Sequence, residues 1–496
     1  MKHELTPISR RTMLKWMAGA SGLGAAALLA ACAPGGPSTA GSAAAAGSSA
    51  ASARITLATV GDTPETTTFY KQQLEAFSKN SGIAVELLAY PQSQYSNAIQ
   101  LLFTQGKPPD VFRMGGLSIA HPNAYIKGWE QSLQPYVTAD YSSRFPYSFD
   151  CGTSDLCAGN EIYATPYISK LTLLPLLFYN TDLLSKHAGR SDPPRTWSEL
   201  AEAAHAVTVN SGGSVRGFGA WGGANNRGLM VALNALQATA GPRHDLVDYQ
   251  TGKPGLADSN SVQAVEVLRS IHQAGDFPAG WDAWQEAQIW SNFASQKVAM
   301  YIGLNWHQAE IARLNPSLPF DFAPTPLPDG GRGGYEILFG PYQPYWAMGA
   351  GTRQPTLAWQ LLDFFGSPEH QRALYQFDNR YVPALPQATY ADLLTPRAKK
   401  MIDLSAVASR RGPDPINRNP FAAEVQGALV ANQPKPAANE VVMAAVKEGS
   451  QFASAARQFD SQLDAVFEEQ LQKVGHGVTR ADFTFADWNP LQDYGA

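Results

Sequence analysis

Strand-like and helix-like segments alternate along this chain of 496 residues, and that alternation restricts the possible folds more than any other feature. Residues 54–60 and 83–89 have the β-branched, alternating character of strands. Residues 69–78 and 95–104 carry apolar side chains at helical spacing. Further strands are predicted at 109–112, 173–179, 215–221 and 298–304, and further helices at 197–207, 261–274 and 437–472. Because this order brings successive strands into helix-covered sheets, an α/β fold with mainly parallel sheets is predicted.

The first 31 residues have the composition of an export signal. Arg10 and Arg11 precede an apolar run, Trp16 to Ala31, that is shorter than the roughly 20 residues needed to span a bilayer. A basic start, an apolar stretch and small residues at its end are typical of a cleaved signal peptide. The segment Ser-Arg-Arg-Thr-Met-Leu-Lys at 9–15 resembles a twin-arginine export signal. Residues 1–31 are therefore predicted to be a cleaved signal peptide.

The apolar run ends in Leu-Ala-Ala-Cys at 29–32, which resembles the lipobox of bacterial lipoproteins. In those proteins the cysteine receives a diacylglyceryl group, because its thiolate is the nucleophile, and becomes the mature N-terminus. Residues 32–53, rich in Ala, Gly and Ser, are predicted to form a flexible tether. We therefore expect lipidation of Cys32 and anchoring at the outer face of the cytoplasmic membrane; an unmodified core cysteine is the alternative.

Charge and cysteine content exclude some classes of protein. The net charge of −5 and the lack of a basic run after the signal region argue against a nucleic-acid partner. Cys151 and Cys157 are the other cysteines, and in an exported protein this spacing favours a disulfide. Zinc ligation is the alternative, but no nearby histidine pair completes a ligand set. No metal and no cofactor are predicted.

Eight segments resemble, in order, the family 1 extracellular solute-binding proteins of ATP-binding-cassette importers, the group that includes maltose-binding protein. The segments are FYKQQLEAFSKNSGIAVELLAY, GKPPDVF at 106–112, YATPY at 163–167, LLFYNTDLL at 176–184, PPRTWSELAEAA at 193–204, FASQKVAMYIGLNW at 293–306, FAPTPLPDG at 322–330 and TLAWQLLDFFGSPEHQRAL at 356–374. The resemblance as a whole extends over nearly all of residues 54–470. Each segment alone is weakly specific, and their shared order carries the resemblance.

The resemblance implies a type II periplasmic-binding-protein-like fold with two lobes and a ligand cleft between them. Lobe one would comprise 54–165 and 328–366, and lobe two 166–327 and 367–496 with the C-terminal helices. Hinge motion would close the lobes on a solute, expected to be a mono- or oligosaccharide, for delivery to a membrane permease. The protein is expected to be a monomer and not an enzyme.

A sugar site needs aromatic rings for the C–H faces of the sugar and planar polar groups for its hydroxyls. Trp306 follows the strand 298–304 directly and matches the stacking tryptophan of maltose-binding protein. The candidate ligand-binding residues are Trp306, Asn305, Trp221, Trp281, Tyr342, Gln343, Arg380, Tyr381 and Asp62. Core packing of the aromatics, a surface salt bridge at Arg380 and a turn at Asp62 are the structural alternatives.

The sequence departs from maltose-binding protein after the third predicted strand. Where that protein has an aromatic residue, this chain has Arg-Met-Gly-Gly at 113–116. The shape of the first lobe's binding face, and hence the identity of the sugar, is left open.

Two other functions fit an exported α/β protein. A glycoside hydrolase would need two carboxylates across the scissile bond, for which Asp282, Glu286 and Glu336 are available without any evident pairing. No nucleophile elbow, zinc-protease motif or Walker loop occurs in the sequence. A lipoprotein that senses a sugar without a transporter is the other alternative.

Overall fold

The computed structural model describes residues 53–115, 121–146, 149–152, 154–242, 246–337 and 345–495. The predicted signal peptide, Cys32 and nearly all of the tether lie outside the described residues, as do Tyr342 and Gln343. Within the described ranges, no helix combines the length and apolarity required to cross a membrane.

Nine strands form the two larger sheets of the described residues. They are β1 (Arg54–Val60), β2 (Ala84–Tyr90), β3 (Val111–Met114), β4 (Ala164–Pro166), β5 (Pro175–Asn180), β6 (Arg216–Gly219), β7 (Val298–Leu304), β8 (Phe320–Ala323) and β9 (Tyr345–Met348). The first sheet has the order β2-β1-β3-β9-β4, and the second has the order β8-β5-β7-β6. Two-residue strands elsewhere form small separate pairs.

The longer helices cover these sheets. They are α1 (Pro64–Ser81), α2 (Gln92–Thr104), α3 (Trp197–Asn210), α4 (Gly223–Ala240), α5 (Ser259–Gln273), α6 (Glu286–Ala294), α7 (His307–Leu314), α8 (Pro355–Phe365), α9 (Pro368–Phe377), α10 (Pro396–Ala408), α11 (Ala422–Ala431), α12 (Ala438–Glu448) and α13 (Phe452–Val474). Shorter helical segments lie at His121–Ile126, Ala139–Ser143, Thr181–Leu183 and Pro415–Arg418.

Helix α1 shows how local sequence determines an element's ends. The Thr63 side chain accepts a hydrogen bond from the Thr66 amide, and Pro64 occupies the first turn, where its missing N–H costs nothing. The helix ends at Gly82, whose φ of 73° is the left-handed conformation that glycine adopts readily. These caps extend the helix beyond the predicted 69–78.

The range 437–472, predicted to be mostly helical, contains two helices, α12 and α13. Gly449 separates them with a φ of 72°, so the left-handed turn interrupts an apolar pattern that continues on both sides. Helix α12 packs against α4 and α5, and α13 packs against α5, and both bury apolar side chains in the same core cluster as the second sheet.

The strands of each sheet run mainly in one direction, as predicted, and a single strand in each, β9 in the first and β5 in the second, runs against the others. Neighbours β1–β2, β1–β3 and β6–β7 are parallel, whereas β9 and β5 run antiparallel to their neighbours. The reason is connectivity. Both β5 and β9 follow segments that arrive from the other sheet, and they therefore start at the edge where the other strands end.

The chain crosses between the sheets along three described or partly described segments. Residues 167–174 join β4 to β5, and residues 324–344 join β8 to β9. Residues 378–395 lead from α9, which packs with the first sheet, to α10, which packs with the second. Since strands β3, β4, β7 and β8 all end at the edges facing these crossings, the loops that follow them surround one region.

Cys151 and Cys157 form a disulfide with a Cα–Cα distance of 5.3 Å. The loop that they close contains Asp155, whose carboxylate accepts hydrogen bonds from the Lys170 ammonium and the Tyr345 hydroxyl. The loop is thereby joined to one crossing segment and to the start of β9. The predicted lobe boundaries remain a prediction.

Candidate ligand-binding cleft

A cleft with a cavity volume of about 270 Å³ opens at the strand ends that face the crossing segments. Side chains from both sheets and from two crossings line it. The lining residues are Val60, Gln92, Tyr95, Arg113, Met114, Gly115, Ile168, Thr172, Leu173, Trp306, Arg380 and Tyr381. This is the position at which open α/β sheets bind ligands, outside the carboxyl ends of their strands.

Arg113 is the charged residue on the first sheet's side of the cleft. It lies in β3, and its backbone carbonyl accepts a hydrogen bond of 2.7 Å from the Tyr95 hydroxyl. Its guanidinium carbon lies 4.8 Å from the centre of the Tyr167 ring, within the range of a cation–π interaction. The sequence interpretation noted Arg113 as a departure from the family but did not predict it as a ligand-binding residue. Its position at the end of a predicted strand could have identified it as a candidate for ligand binding.

Trp306 is the aromatic residue on the second sheet's side. It follows β7 directly and precedes α7, and its ring meets those of Trp290 and His307 nearly perpendicularly, at 5.2 and 4.6 Å between centroids. Edge-to-face packing of this kind fixes the orientation of the indole. The ring is partly exposed, and its buried Nε1–H has no hydrogen-bond partner among the described residues.

His307 supports Trp306 from behind. Its ring is completely buried, with Nε2 3.0 Å from the Glu286 carboxylate and Nδ1 3.3 Å from the Tyr301 hydroxyl. Burial lowers the pKa of His307, an effect that the Glu286 carboxylate opposes. The sequence did not predict this supporting role of His307.

Arg380 and Tyr381 reach the cleft from the crossing segment after α9. The Arg380 guanidinium donates to the Asp378 carboxylate at 2.6–3.0 Å and lies 3.5 Å from Glu310. Hydrogen bonding to Asp378 raises the pKa of Arg380 above its ordinary value. Tyr381 packs edge-on against Tyr167 with a centroid distance of 5.9 Å.

Asn305 does not face the cleft, although it was predicted to contact ligand. Its side chain is 1% exposed, and its amide oxygen accepts from the Leu173 N–H at 3.1 Å. Its amide nitrogen donates to the Leu171 carbonyl and to Ser405 Oγ. These bonds fix the crossing segment, where Leu173 has a φ of 75° and lines the cleft. Asn305 therefore shapes the cleft wall from within.

Trp221, Trp281 and Asp62 also lie away from the cleft lining. Trp221 is 1% exposed because α4 packs against its ring so closely that a Cβ on Gly228 would lie 2.1 Å from it. Trp281 is buried against Phe277 and His272. Asp62 is exposed and accepts a hydrogen bond from the Gln92 amide at the start of α2, a structural role other than the turn that the sequence suggested.

The carboxylates considered for hydrolysis do not line the cleft. Asp282 pairs with Lys447, Glu286 with His307, and Glu336 lies buried in a small strand pair with Ile337 opposite Ser409 and Arg410. Within the described ranges, no group of three or more His, Cys, Asp or Glu side chains is arranged to hold a metal ion.

Residues 61–372 match the family model of the bacterial extracellular solute-binding proteins. The chain belongs to this family. A probable ABC transporter-binding protein of Deinococcus radiodurans is 25% identical over 315 residues, which are 62% of this chain and 70% of that protein. The family resemblance inferred from the sequence motifs is thereby confirmed.

Solved structures of solute-binding proteins share the fold of this family member. The sugar-binding protein MalE of Xanthomonas citri has a TM-score of 0.65 at 16% identity, covering 86% of this chain and all of that one. Maltose-bound MalE3 of T. maritima has a TM-score of 0.61 at 21% identity, covering 84% and all of the respective chains. A chitin oligosaccharide binding protein has a TM-score of 0.63 at 16% identity, covering 84% and 99%. The predicted two-lobed type II fold is thereby confirmed.

Proposed function

We propose that this protein is the extracytoplasmic solute-binding subunit of an ATP-binding-cassette importer and that it captures a carbohydrate for a membrane permease. One observation carries the proposal. The cleft combines the flat ring faces of Trp306 and Tyr381 with the guanidinium groups of Arg113 and Arg380. Rings suit the C–H faces of a sugar and guanidinium groups suit its hydroxyls. The names of the structural relatives, which specify maltose and chitin oligosaccharide, agree with a carbohydrate.

Capture would proceed by hinge closure. Arg113 belongs to the first sheet, and Trp306 follows a strand of the second. A solute that contacts both residues therefore stabilises the closed arrangement, in which the two sheets are closer together. The crossing segments 167–174 and 378–395 are the places where backbone rotation would change the angle between the sheets. The closed form would then dock on the permease.

A screen of binding and of product formation tests this function against the glycoside hydrolase. The protein would be mixed with neutral and acidic mono- and oligosaccharides and its thermal unfolding midpoint recorded, since a ligand that binds only the folded state raises this midpoint. Every ligand that shifts the midpoint would then be incubated and analysed by mass spectrometry. We expect binding with the sugar recovered intact. Shortened or hydrated products would show that the protein hydrolyses the sugar and would contradict the proposed function.

The anchor is proposed on the sequence alone. Cleavage before Cys32 and lipidation of its thiol would hold the body at the outer face of the membrane through residues 32–53. Replacing Cys32 by Ala should release the protein from the membrane fraction, and joint replacement of Arg10 and Arg11 by Lys should block export. Membrane association that persists in Cys32→Ala would rule out the lipid anchor.

Co-purification separates an importer subunit from a sugar sensor. The full-length protein with its bound sugar would be cross-linked in membranes and its partners identified. A permease with an ATP-binding subunit is expected, and recovery of a signalling receptor in its place would favour the sensor.

A further inference from the structure

Among the described residues that line the cleft, Arg113 carries a charge without an ionic partner. It is partly buried above the Tyr167 ring and forms no salt bridge with any residue that the structure describes. A guanidinium is always protonated, and withdrawing it from water without a counter-ion is unfavourable. The position therefore holds a positive charge that none of the described residues compensates with a salt bridge.

The described groups that interact most strongly with the Arg113 charge are tyrosine hydroxyls. Tyr70, Tyr95, Tyr167 and Tyr381 interact with it electrostatically. Burial raises the pKa of Tyr70, Tyr95 and Tyr167 above that of an ordinary phenol, so these three hydroxyls stay neutral at physiological pH. These three side chains are therefore polar but uncharged neighbours of Arg113.

Arg380 provides the contrast within the same cleft. Its charge is compensated by Asp378 and by the nearby Glu310. No Asp or Glu is among the described residues that line the cleft. The sequence stretches 116–120 and 338–344, which adjoin β3 and β9 in the chain, also contain neither Asp nor Glu.

We propose that the solute is an acidic saccharide and that Arg113 binds its anionic group. This inference rests on the proposed sugar-binding function and specifies its substrate class. A planar guanidinium can form two parallel hydrogen bonds with a carboxylate or with two oxygens of a phosphate. The anion supplies the charge that Arg113 lacks, while Trp306 and Tyr381 contact the sugar ring.

Matched sugars test the inference on the unmodified protein. Calorimetry would compare galactose with galacturonate and glucose with glucuronate, each as monomer and trimer, together with glucose 6-phosphate and inorganic phosphate alone. We expect an acidic sugar to bind about 100-fold more tightly than its neutral counterpart, as for a charge pair shielded from water. The uronates and the sugar phosphate distinguish a carboxylate from a phosphate.

Three variants locate the preference. Arg113→Gln should lower the affinity for the acidic sugar about 100-fold and change that for the neutral sugar by less than about fivefold, and Arg113→Lys should be intermediate. The control is Arg397→Gln, because Arg397 also stacks on a ring, 4.0 Å from the centre of Phe320, but does not line the cleft. It should leave both affinities unchanged.

The outcomes separate the two proposals. Tighter binding of a neutral sugar than of every acidic one overturns the acidic preference and leaves the sugar-binding function standing. Equal binding of inorganic phosphate and glucose 6-phosphate overturns the saccharide assignment. An acidic preference that persists in folded Arg113→Gln removes Arg113 from the site, and failure of every sugar to bind overturns the function and the inference together.

Discussion

Trp306 is held in place by neighbours that leave one part of its ring free for the cleft. Trp290 and His307 pack against it at nearly right angles, and His307 is fixed in turn by Glu286. A ring that is oriented before binding loses little freedom when a sugar stacks on it. Its contribution to binding should therefore be large for a single side chain.

Replacing Trp306 by Ala should weaken sugar binding by roughly 1–3 kcal/mol because the stacked contact is lost. Trp306→Phe keeps a flat face and should lose less. Calorimetry with the best ligand of the screen gives both values. The control is Trp359→Phe, since Trp359 stacks on Tyr136 away from the cleft. Unchanged affinity in a folded Trp306→Ala protein would exclude the residue from the site.

His370 should make the stability of the protein depend on pH. It is fully buried between Phe364 and Phe365, with Nδ1 3.0 Å from Gln73 Oε1, and burial lowers its pKa from 6.5 to about 3. Between these values the folded state binds fewer protons than the unfolded state. The contribution of neutral, buried His370 to the free energy of unfolding is therefore fully present above about pH 6.5. It decreases as the pH falls, by about 2 kcal/mol at pH 5.

Urea unfolding at pH 7.5, 6 and 5 measures this effect. His370→Gln should lose about 2 kcal/mol less than the wild type between pH 7.5 and 5, whatever its stability at pH 7.5. The control His187→Gln, at a partly exposed position, should follow the wild-type curve. Parallel curves for His370→Gln and wild type would contradict the expected role of this residue.

Whether a tryptophan at a strand end can contact ligand depends less on its position along the strand than on the helices that pack against its ring. Trp306 and Trp221 both follow strands, and both were candidates for ligand contact. Trp221 is covered by α4, which approaches through Gly228, whereas Trp306 keeps an exposed surface. The direction in which a ring turns depends on helices that are distant in sequence, and so the sequence could not separate the two.

At the scale of elements, the crossing segment 167–174 depends on one buried amide. Asn305 bonds the Leu173 N–H, the Leu171 carbonyl and Ser405 Oγ, and so it joins the crossing to the end of β7 and to α10. Leu173 adopts a left-handed backbone conformation, which is unfavourable for a side chain of this kind and persists only where the surroundings impose it.

Asn305→Ala should lower the free energy of unfolding by about 2–3 kcal/mol because it leaves the Leu173 amide without its partner. Chemical unfolding gives the value, and sugar affinity should fall as well because Leu173 lines the cleft. The control is Asn210→Ala, an exposed position whose side chain donates to the His187 carbonyl, with an expected loss below about 1 kcal/mol. Equal losses in the two variants would argue against a special role for Asn305.

Most elements could be predicted because their apolar spacing and caps are local. The strand Val298–Leu304 was predicted with its observed ends, since every residue in it is buried and the flanking residues are not strand formers. The direction of β5 and β9 could not be predicted from periodicity, because it depends on which sheet the preceding segment leaves. The pairing of strands that are distant in sequence depends on the whole chain and not on local residue spacing.

At the scale of the whole molecule, the proposed hinge motion changes the distance between the two sheets. Small-angle scattering should therefore give a smaller radius of gyration when a bound sugar holds the sheets together. A sugar that does not bind, at equal concentration, is the control. An unchanged radius of gyration with a saturating, proven ligand would contradict hinge closure.

The Cys151–Cys157 bond places the steps of maturation in order. Cysteines pair where the surroundings are oxidising, whereas the export route predicted for this chain carries proteins that have already folded. On that predicted route the body would fold with both thiols reduced, and the hydrogen bonds of Asp155 with Lys170 and Tyr345 would already hold the loop. The disulfide would form last, after export across the membrane. The number of free thiols in a molecule would then show whether it has been exported.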